Sequence, residues 1–434
     1  MKRSWGLGML LVLLLAGPAH AQSLRYEIGN IFDEVLRLHL AGSPGAHGKH
    51  FSPENVESSK EVINALTSFL GANIASFPLS STGATAAFDL SSGAPVRETE
   101  NLGPIFSEAG TTLGRNHVIL GYNFTYMGFK RIRGLPLEDM QFTFTHQDVG
   151  SPGLGDSDNE LDTIDLFMNM QIDASVIAFY MTAGLTDHLD VGLALPMVDV
   201  HMVADPSAVI NSFTLAANDS ANHFYGGTAT SPILSTSPTP MNDEAFGIGD
   251  IAARAKLNVY RGKGNVALLL EARLPTGDEQ NFLGTGYTTI RSALIGSRAW
   301  GSTSAHANIA YVFKNTDLVG DDLDLFLGYE QGFGRQFTAV FDCLGRLQVG
   351  KPVEALRFGE NAIINRPIGS TTLVRKVNLS NVPSADRDHI LDLSVGGKYA
   401  PRDFLILMGN VIVPLNNGGL RPDVSTTLGF EFSF

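Results

Sequence analysis

The sequence predicts an all-β chain closed into a transmembrane antiparallel β-barrel of about 14 strands, within a range of about 12–16, preceded by a short helical segment. Three observations predict it. Apolar and polar residues alternate with period two from about residue 115 to the end, the pattern of strands with one dry and one wet face. Short turns and long loops succeed one another along the same stretch, as they do in outer-membrane barrels. Beyond the N-terminal leader no apolar run reaches the length of about 18 residues that a spanning helix needs.

The elements follow in chain order. Lys2 and Arg3 precede an apolar run from Leu7 to Ala16, and Ala19-His20-Ala21 comes next. This reads as a secretory signal over 1–21, with Gln22 as the first mature residue. Residues 22–82 do not alternate. Ser52-Pro53-Glu54 has the cap hydroxyl, proline and early carboxylate of a helix start, and Val62, Leu66, Phe69, Leu70 and Phe77 follow at mostly helical spacing. The segment 22–82 is expected to be helical, either a lumen plug or a periplasmic cap, the plug being preferred because a barrel of this size would otherwise stand open. Phe51, Phe69 and Phe77 would line a ligand path there, or simply pack.

The barrel then occupies 83–434. Its last strand sets Val424, Thr426, Leu428, Phe430, Phe432 and Phe434 on one face and Ser425, Thr427, Gly429, Glu431 and Ser433 on the other. The same split places Arg254, Lys256, Glu271, Arg273, Asp322, Asp324 and Glu431 on the lumen side, opposite aliphatic neighbours that face lipid. Short turns are expected near Leu135-Pro136, Thr186-Asp187, Gly262-Lys263, Trp300-Gly301, Gly332-Phe333 and Pro401-Arg402, and long loops near 92–114, 149–160, 204–245, 276–286, 315–321, 348–387 and 414–421. Both termini then fall on the periplasmic side.

Charged residues are 17% of the chain, below the roughly 25% of soluble proteins. The 46 glycines and 26 phenylalanines suit tight turns and aromatic girdles. A net charge of −14 argues against nucleic acid as a partner. Cys343 is the only cysteine, so no intramolecular disulfide forms. No cofactor is implied, and nothing resembles an ATP-binding loop.

If Gly262-Lys263 is a two-residue turn, Arg254 lies directly opposite Glu271. The functional reading is a charged constriction, and the plainer one an ion-pair ladder bracing the wall. Asp187-His188 invites comparison with hydrolase pairs but sits in a tight turn with no serine nucleophile beside it. Asp156, Asp158, Glu160 and Asp162 cluster oxygen ligands that would suit calcium, without the twelve-residue EF-hand spacing. A solvated acidic loop is the plainer reading.

The run from Pro275 to Gly286, PTGDEQNFLGTG, resembles the loop of outer-membrane proteins associated with phenol meta-cleavage pathways, distantly similar to long-chain fatty-acid transporter barrels. Gly184–Gly192, Gly247–Asp250 and Pro414–Pro422 carry the same resemblance. It implies an outer-membrane barrel carrying small hydrophobic molecules inward, with lipid and lipopolysaccharide around it. The terminal aromatic strand, Phe430, Phe432 and Phe434, resembles the signal read by the barrel assembly machinery. The function expected is therefore passive transport and not catalysis, with a general porin or an outer-membrane hydrolase or protease as alternatives.

Overall fold

The computed structural model describes residues 22–40, 66–67, 69–74, 86–89, 94–97, 101–145, 162–350, 361–368 and 371–433. The proposed signal 1–21, Phe51, Phe77, Asp156, Asp158, Glu160 and Phe434 lie outside them.

Twelve of the described strands close into one antiparallel ring. They are β1 (His117–Ile132), β2 (Met170–Gly184), β3 (Leu189–Ala204), β4 (Ala252–Arg261), β5 (Asn265–Arg273) and β6 (Thr289–Trp300) in the first half. The second half is β7 (Thr303–Lys314), β8 (Asp322–Phe333), β9 (Phe337–Gln348), β10 (Ile390–Arg402), β11 (Leu405–Pro414) and β12 (Leu420–Ser433). Each pairs with its neighbour in sequence, and β12 closes on β1 through Leu428 opposite Phe124. The closed ladder leaves no amide edge for lipid to meet.

Tight turns at 185–188, 262–264, 301–302, 334–336 and 403–404 all lie at one end, and the long loops lie at the other. The short turn expected near Leu135-Pro136 stands at Arg133-Gly134, but it lies with the long loops and not with the other tight turns, a correction to the sequence expectation. Leu135 and Pro136 pair back on Ile132 and Arg131 at the long-loop end. Beyond them Gln141–Thr145 and Thr163–Phe167 leave the wall and join Ser207–Asn211 and Ser235–Thr236 in a four-stranded canopy sheet.

At Gly262 the turn holds three residues, because Arg261 pairs with Asn265. Arg254 nevertheless lies opposite Glu271, since a register shift between Asn258 and Tyr260 absorbs the extra residue. The strand Met241–Ile248 continues β4 along the edge of β3, interrupted at residues 249–251.

Outside, Leu257, Leu268, Leu270, Leu294, Ile309, Leu327, Val395, Leu407 and Leu428 project from the wall. Trp300, Tyr329, Phe333, Phe337, Tyr399 and Phe404 ring the tight-turn end, where aromatic rings bridge lipid and water. Strands β1, β2 and β3 count 16, 15 and 16 residues, more than the ~9–11 that cross a bilayer. Their excess shows as an inversion of polarity. Near the tight turns Phe179, Met181 and Leu193 face out while Thr182 and Asp190 are buried within. Near the long loops Ile172, Ala174, Val176, Val200 and Met202 are the buried face, and Asp173, Asp199 and His201 occupy the alternate, outward positions.

That apolar inner face receives the helix α1 (Leu24–Val35). Ser23 caps it, accepting from Tyr26 N, and Leu24, Ile28, Ile31, Phe32 and Val35 form its buried stripe, spaced for one helix face. Phe32 lies against Phe142 and Phe144 at 5.6 and 5.9 Å between ring centroids. Leu24 N donates to Asn281 Oδ1 in a long loop, whereas Phe432 pairs with Leu405 beside a tight turn. The two described termini therefore sit at opposite ends of the barrel and do not both face the periplasm, a correction to the sequence expectation. The described residues 101–113 run through the lumen, which periodicity alone does not show.

Leu268→Arg, placing a cation on the lipid face of β5, is expected to destabilise the barrel by about 2–4 kcal/mol if near mid-bilayer. Urea titration of the protein refolded into lipid vesicles measures it.

Candidate functional site

Residues 101–113 cross the lumen, in place of the long outer loop expected over 92–114. Their sequence, NLGPIFSEAGTTL, contains Gly103-Pro104 and Gly110 and favours neither helix nor strand. An extended segment with no strand beside it must pair its backbone with side chains, and the lumen wall supplies them. Leu102 N donates to Thr338 Oγ1 at 3.0 Å, and Phe106 N and Ser107 Oγ donate to Asp342 at 3.2 and 2.6 Å. Asn308 accepts from Glu108 N at 2.6 Å and donates to Glu108 O at 2.9 Å. Gly110 N donates to Ser297 Oγ, and Leu113 N to the Asp190 carboxylate. A Cβ on Gly110 would lie 2.7 Å from Asn265 O, and one on Gly184 1.8 Å from Gly114 O, so only glycine permits the approach.

Glu108 ties this segment to the predicted lumen cations. Arg254 Nη1 donates to it at 2.9 Å, and Lys256 Nζ lies 3.6 Å away. Glu271, opposite Arg254 in register, pairs with Arg273 at 3.1 Å. Towards the long loops Arg291 meets Asp324 at 3.1 Å, Lys314 meets Asp322 at 2.8 Å, and Arg346 reaches both carboxylates. Glu431 is buried near the tight-turn end, 3.5 Å from Lys398 Nζ, and accepts from Tyr180 OH. All seven lumen-side residues read from alternation thus lie in polar contacts inside the wall. Sequence reading missed Glu108, Asp190, Arg291, Lys314, Asp342, Arg346 and Lys398. Asp190, Asp342 and Lys398 carry the alternation signal, as polar residues between outward apolar ones, while Glu108 lies outside any strand and gives none.

Two cavities lie on the long-loop side of the crossing segment, sharing Phe326 and Arg346. One is lined by Phe106 and the ion pairs around Arg291 and Asp324. The other is lined mostly by apolar side chains, including Met127, Phe129, Leu344, Ile412 and Pro422, together with Asn73, Asp392, Arg421 and Ser425. Ile105 and Phe106 pack with Phe326, Val340, Leu344 and Ile412 as an apolar floor.

Above the cavities, Phe69 is buried beneath the Arg133 guanidinium, 5.6 Å from its ring centroid. Tyr225 OH donates to Val35 O, and burial pushes its phenol pKa up, holding it as a neutral donor. The Pro275–Gly286 run is a folded loop: Asp250 accepts from Gly277 N, Thr285 N and Thr285 Oγ1. Gly277 and Gly284 meet backbone to backbone. Asp278 accepts from Gln280 N, and Asn281 holds Leu24 N.

Asp162 turns inward. Its carboxylate accepts from Phe213 N at 2.7 Å and lies 2.7 Å from His223 Nδ1. Ser212 Oγ and Thr214 Oγ1 also turn to that carboxylate, so the cluster anchors the Phe213–Asn218 helix. Asp187 Oδ1 accepts from Arg115 N in its tight turn. No group of three or more metal-ligating side chains converges among the described residues.

An apolar outer belt around a charged, partly filled lumen is the form of an outer-membrane β-barrel. Residues 163–341 match the family model described as "Putative MetA-pathway of phenol degradation". The match takes in three of the four motif stretches, Gly184–Gly192, Gly247–Asp250 and Pro275–Gly286, so the resemblance read from sequence holds for the central strands. No curated protein matches the chain. Among similar solved structures, an outer-membrane channel from Pseudomonas putida F1 has a TM-score of 0.40 at 10% identity, covering 75% of this chain and 97% of that one. A Pseudomonas aeruginosa FadL homologue has a TM-score of 0.33 at 10% identity, covering 73% and 90%. The KdgM porin has a TM-score of 0.29 at 8% identity, covering 63% and 98%.

Asp342→Ala removes the acceptor shared by Phe106 N, Ser107 N and Ser107 Oγ in the crossing segment and is expected to loosen it. Single-channel conductance in planar bilayers should rise several-fold above wild type, with the fold retained by circular dichroism. An unchanged conductance would show that this segment does not limit passage.

Proposed function

We propose that this barrel is a passive outer-membrane conduit for small hydrophobic or amphipathic molecules. The observation that carries the reading is the apolar-walled cavity lying directly behind an irregularity in the wall. Between β12 and β1 the register slips on both sides of Pro422: Arg421 pairs with Arg131, Pro422 with Phe129, and Ser425 next with Met127. Proline brings no N–H to the ladder, so Asp423 and Val424 stand without strand partners at that seam. Arg131 and Asp423 meet at 3.7 Å, both more than half exposed, as suits the headgroup level above the lipid belt. An apolar solute leaving the outer leaflet there meets Phe129 and Pro422 before the charged lumen. The crossing segment, pinned along its length, argues against unselective diffusion.

In this reading the tight-turn end faces the periplasm and the canopy faces outward. The signal 1–21 is removed on export. Outer-membrane lipid and lipopolysaccharide surround the belt, and the strand bearing Phe430 and Phe432 is what the assembly machinery recognises. Transport without catalysis fits the Asp162–His223 pair serving as a helix anchor.

Reconstitution into asymmetric vesicles with lipopolysaccharide outside tests the proposal. The full protein should speed naphthalene entry, read by fluorescence, and leave a neutral disaccharide excluded. Equal acceleration of both would indicate a general porin, and acceleration of neither would remove the conduit reading.

A further inference from the structure

We infer that the inner face of β11 is an apolar track that carries the solute from the cavity behind the Pro422 seam, past the crossing segment, towards the tight-turn end. The inference rests on the conduit reading and adds the path taken inside the barrel. A strand between lipid and an aqueous lumen shows apolar residues on one face. β11, LILMGNVIVP, shows them on both. Leu407, Val411 and Val413 are exposed on the outside, while Ile406, Met408 and Ile412 are buried within. Ile412 and Pro414 line the seam cavity, and Ile406 lies opposite Glu431, closer to the tight turns. Asn410 interrupts this face, and its amide turns aside to Ser394 Oγ on β10.

The strands on either side do not share the property. Beside the same row β10 presents Ser394 opposite Ile412 and Lys398 opposite Met408, and β12 presents Ser425, Thr427 and Glu431. The apolar row is therefore one strand wide.

The crossing segment meets that row with matching side chains. Ile105 and Phe106 form one apolar cluster with Phe326, Val340, Leu344 and Ile412, and Leu102 forms another with Ala400 and Ile406. Its amides are directed elsewhere: Leu102 N and Phe106 N to Thr338 and Asp342 on β9, and Glu108 N to Asn308 on β7. One side of the segment is thus hydrogen-bonded to the wall, and the other meets β11 through apolar contact. Parting the first leaves buried polar groups unmet. Parting the second loses apolar burial, which an apolar solute restores as it enters and which water or an ion does not.

Naphthalene entry into vesicles carrying the full protein tests the track. Met408→Gln keeps the length of the side chain and sets an amide midway along the row. Entry is expected to fall about fourfold or more, the factor for losing one CH₂-sized apolar contact at the barrier. Ala310→Ser, which sets a hydroxyl on the lumen side of β7, should leave entry unchanged. A measurement on the wild-type protein decides even if Met408→Gln fails to fold: a small aryl diazirine photolysed during entry should label Met408 and Ile412 as well as the lipid-facing Leu407 and Val411. Unchanged entry in a folded Met408→Gln, an equal loss in Ala310→Ser, or label confined to the lipid-facing residues would each overturn the inference and leave the conduit reading standing. No acceleration by the wild-type protein would remove both.

Discussion

A strand amide inside a lipid belt has no water to turn to, so every one must meet a carbonyl of the next strand. The ring from β1 through β12 and back satisfies this without an edge, and the rest of the molecule is arranged around the tube it leaves. Hairpin order sets the direction of each strand, which puts all the tight turns at one end and gathers the loop segments at the other. The long-loop end therefore collects enough chain to build a canopy sheet and to enclose α1.

Polarity is organised by height as well as by face. Near the tight turns the wall is apolar outside and charged inside, the solution for lipid. Higher on β2 and β3 the same alternation is inverted, with Ile172, Val176 and Met202 buried and Asp173 and His201 turned outward. That is the solution for water, and it creates the apolar socket into which Phe32 and Leu24 fit. The lumen is thus two environments stacked along one axis, an ion-paired zone beside the crossing segment and a dry one beneath the loops. The cavities lie where the two meet, which is why apolar walls and guanidinium groups occur together there.

The crossing segment is held by a different logic from a strand. Its amides are shared out among Thr338, Asp342, Asn308, Ser297 and Asp190 on four strands, so no ladder forms that could unzip from one end. Each contact is a modest net gain. Their distribution around the wall makes the segment's position a property of the closed ring.

The alternation of Leu268 and Leu270 with Glu271 and Arg273 determined by itself which side chains meet lipid, because a pleated strand offers only two faces. The pairing of Arg254 with Glu271 is expected from a two-residue turn and is met because the third turn residue and the bulge after Asn258 cancel, neither of which was legible. Glycine spacing in Pro275–Gly286 marked a close-packed loop. Tertiary structure alone decided that Gln141–Thr145 pairs in the canopy, since its alternation suits either sheet. It alone decided that 101–113 occupies the lumen, because the acceptors that hold those amides come from residues 190–342. The placement of Arg421 beside Phe129 and Ile412 likewise follows from ring closure, which joins the last strand to the first and is not encoded in any local run of residues.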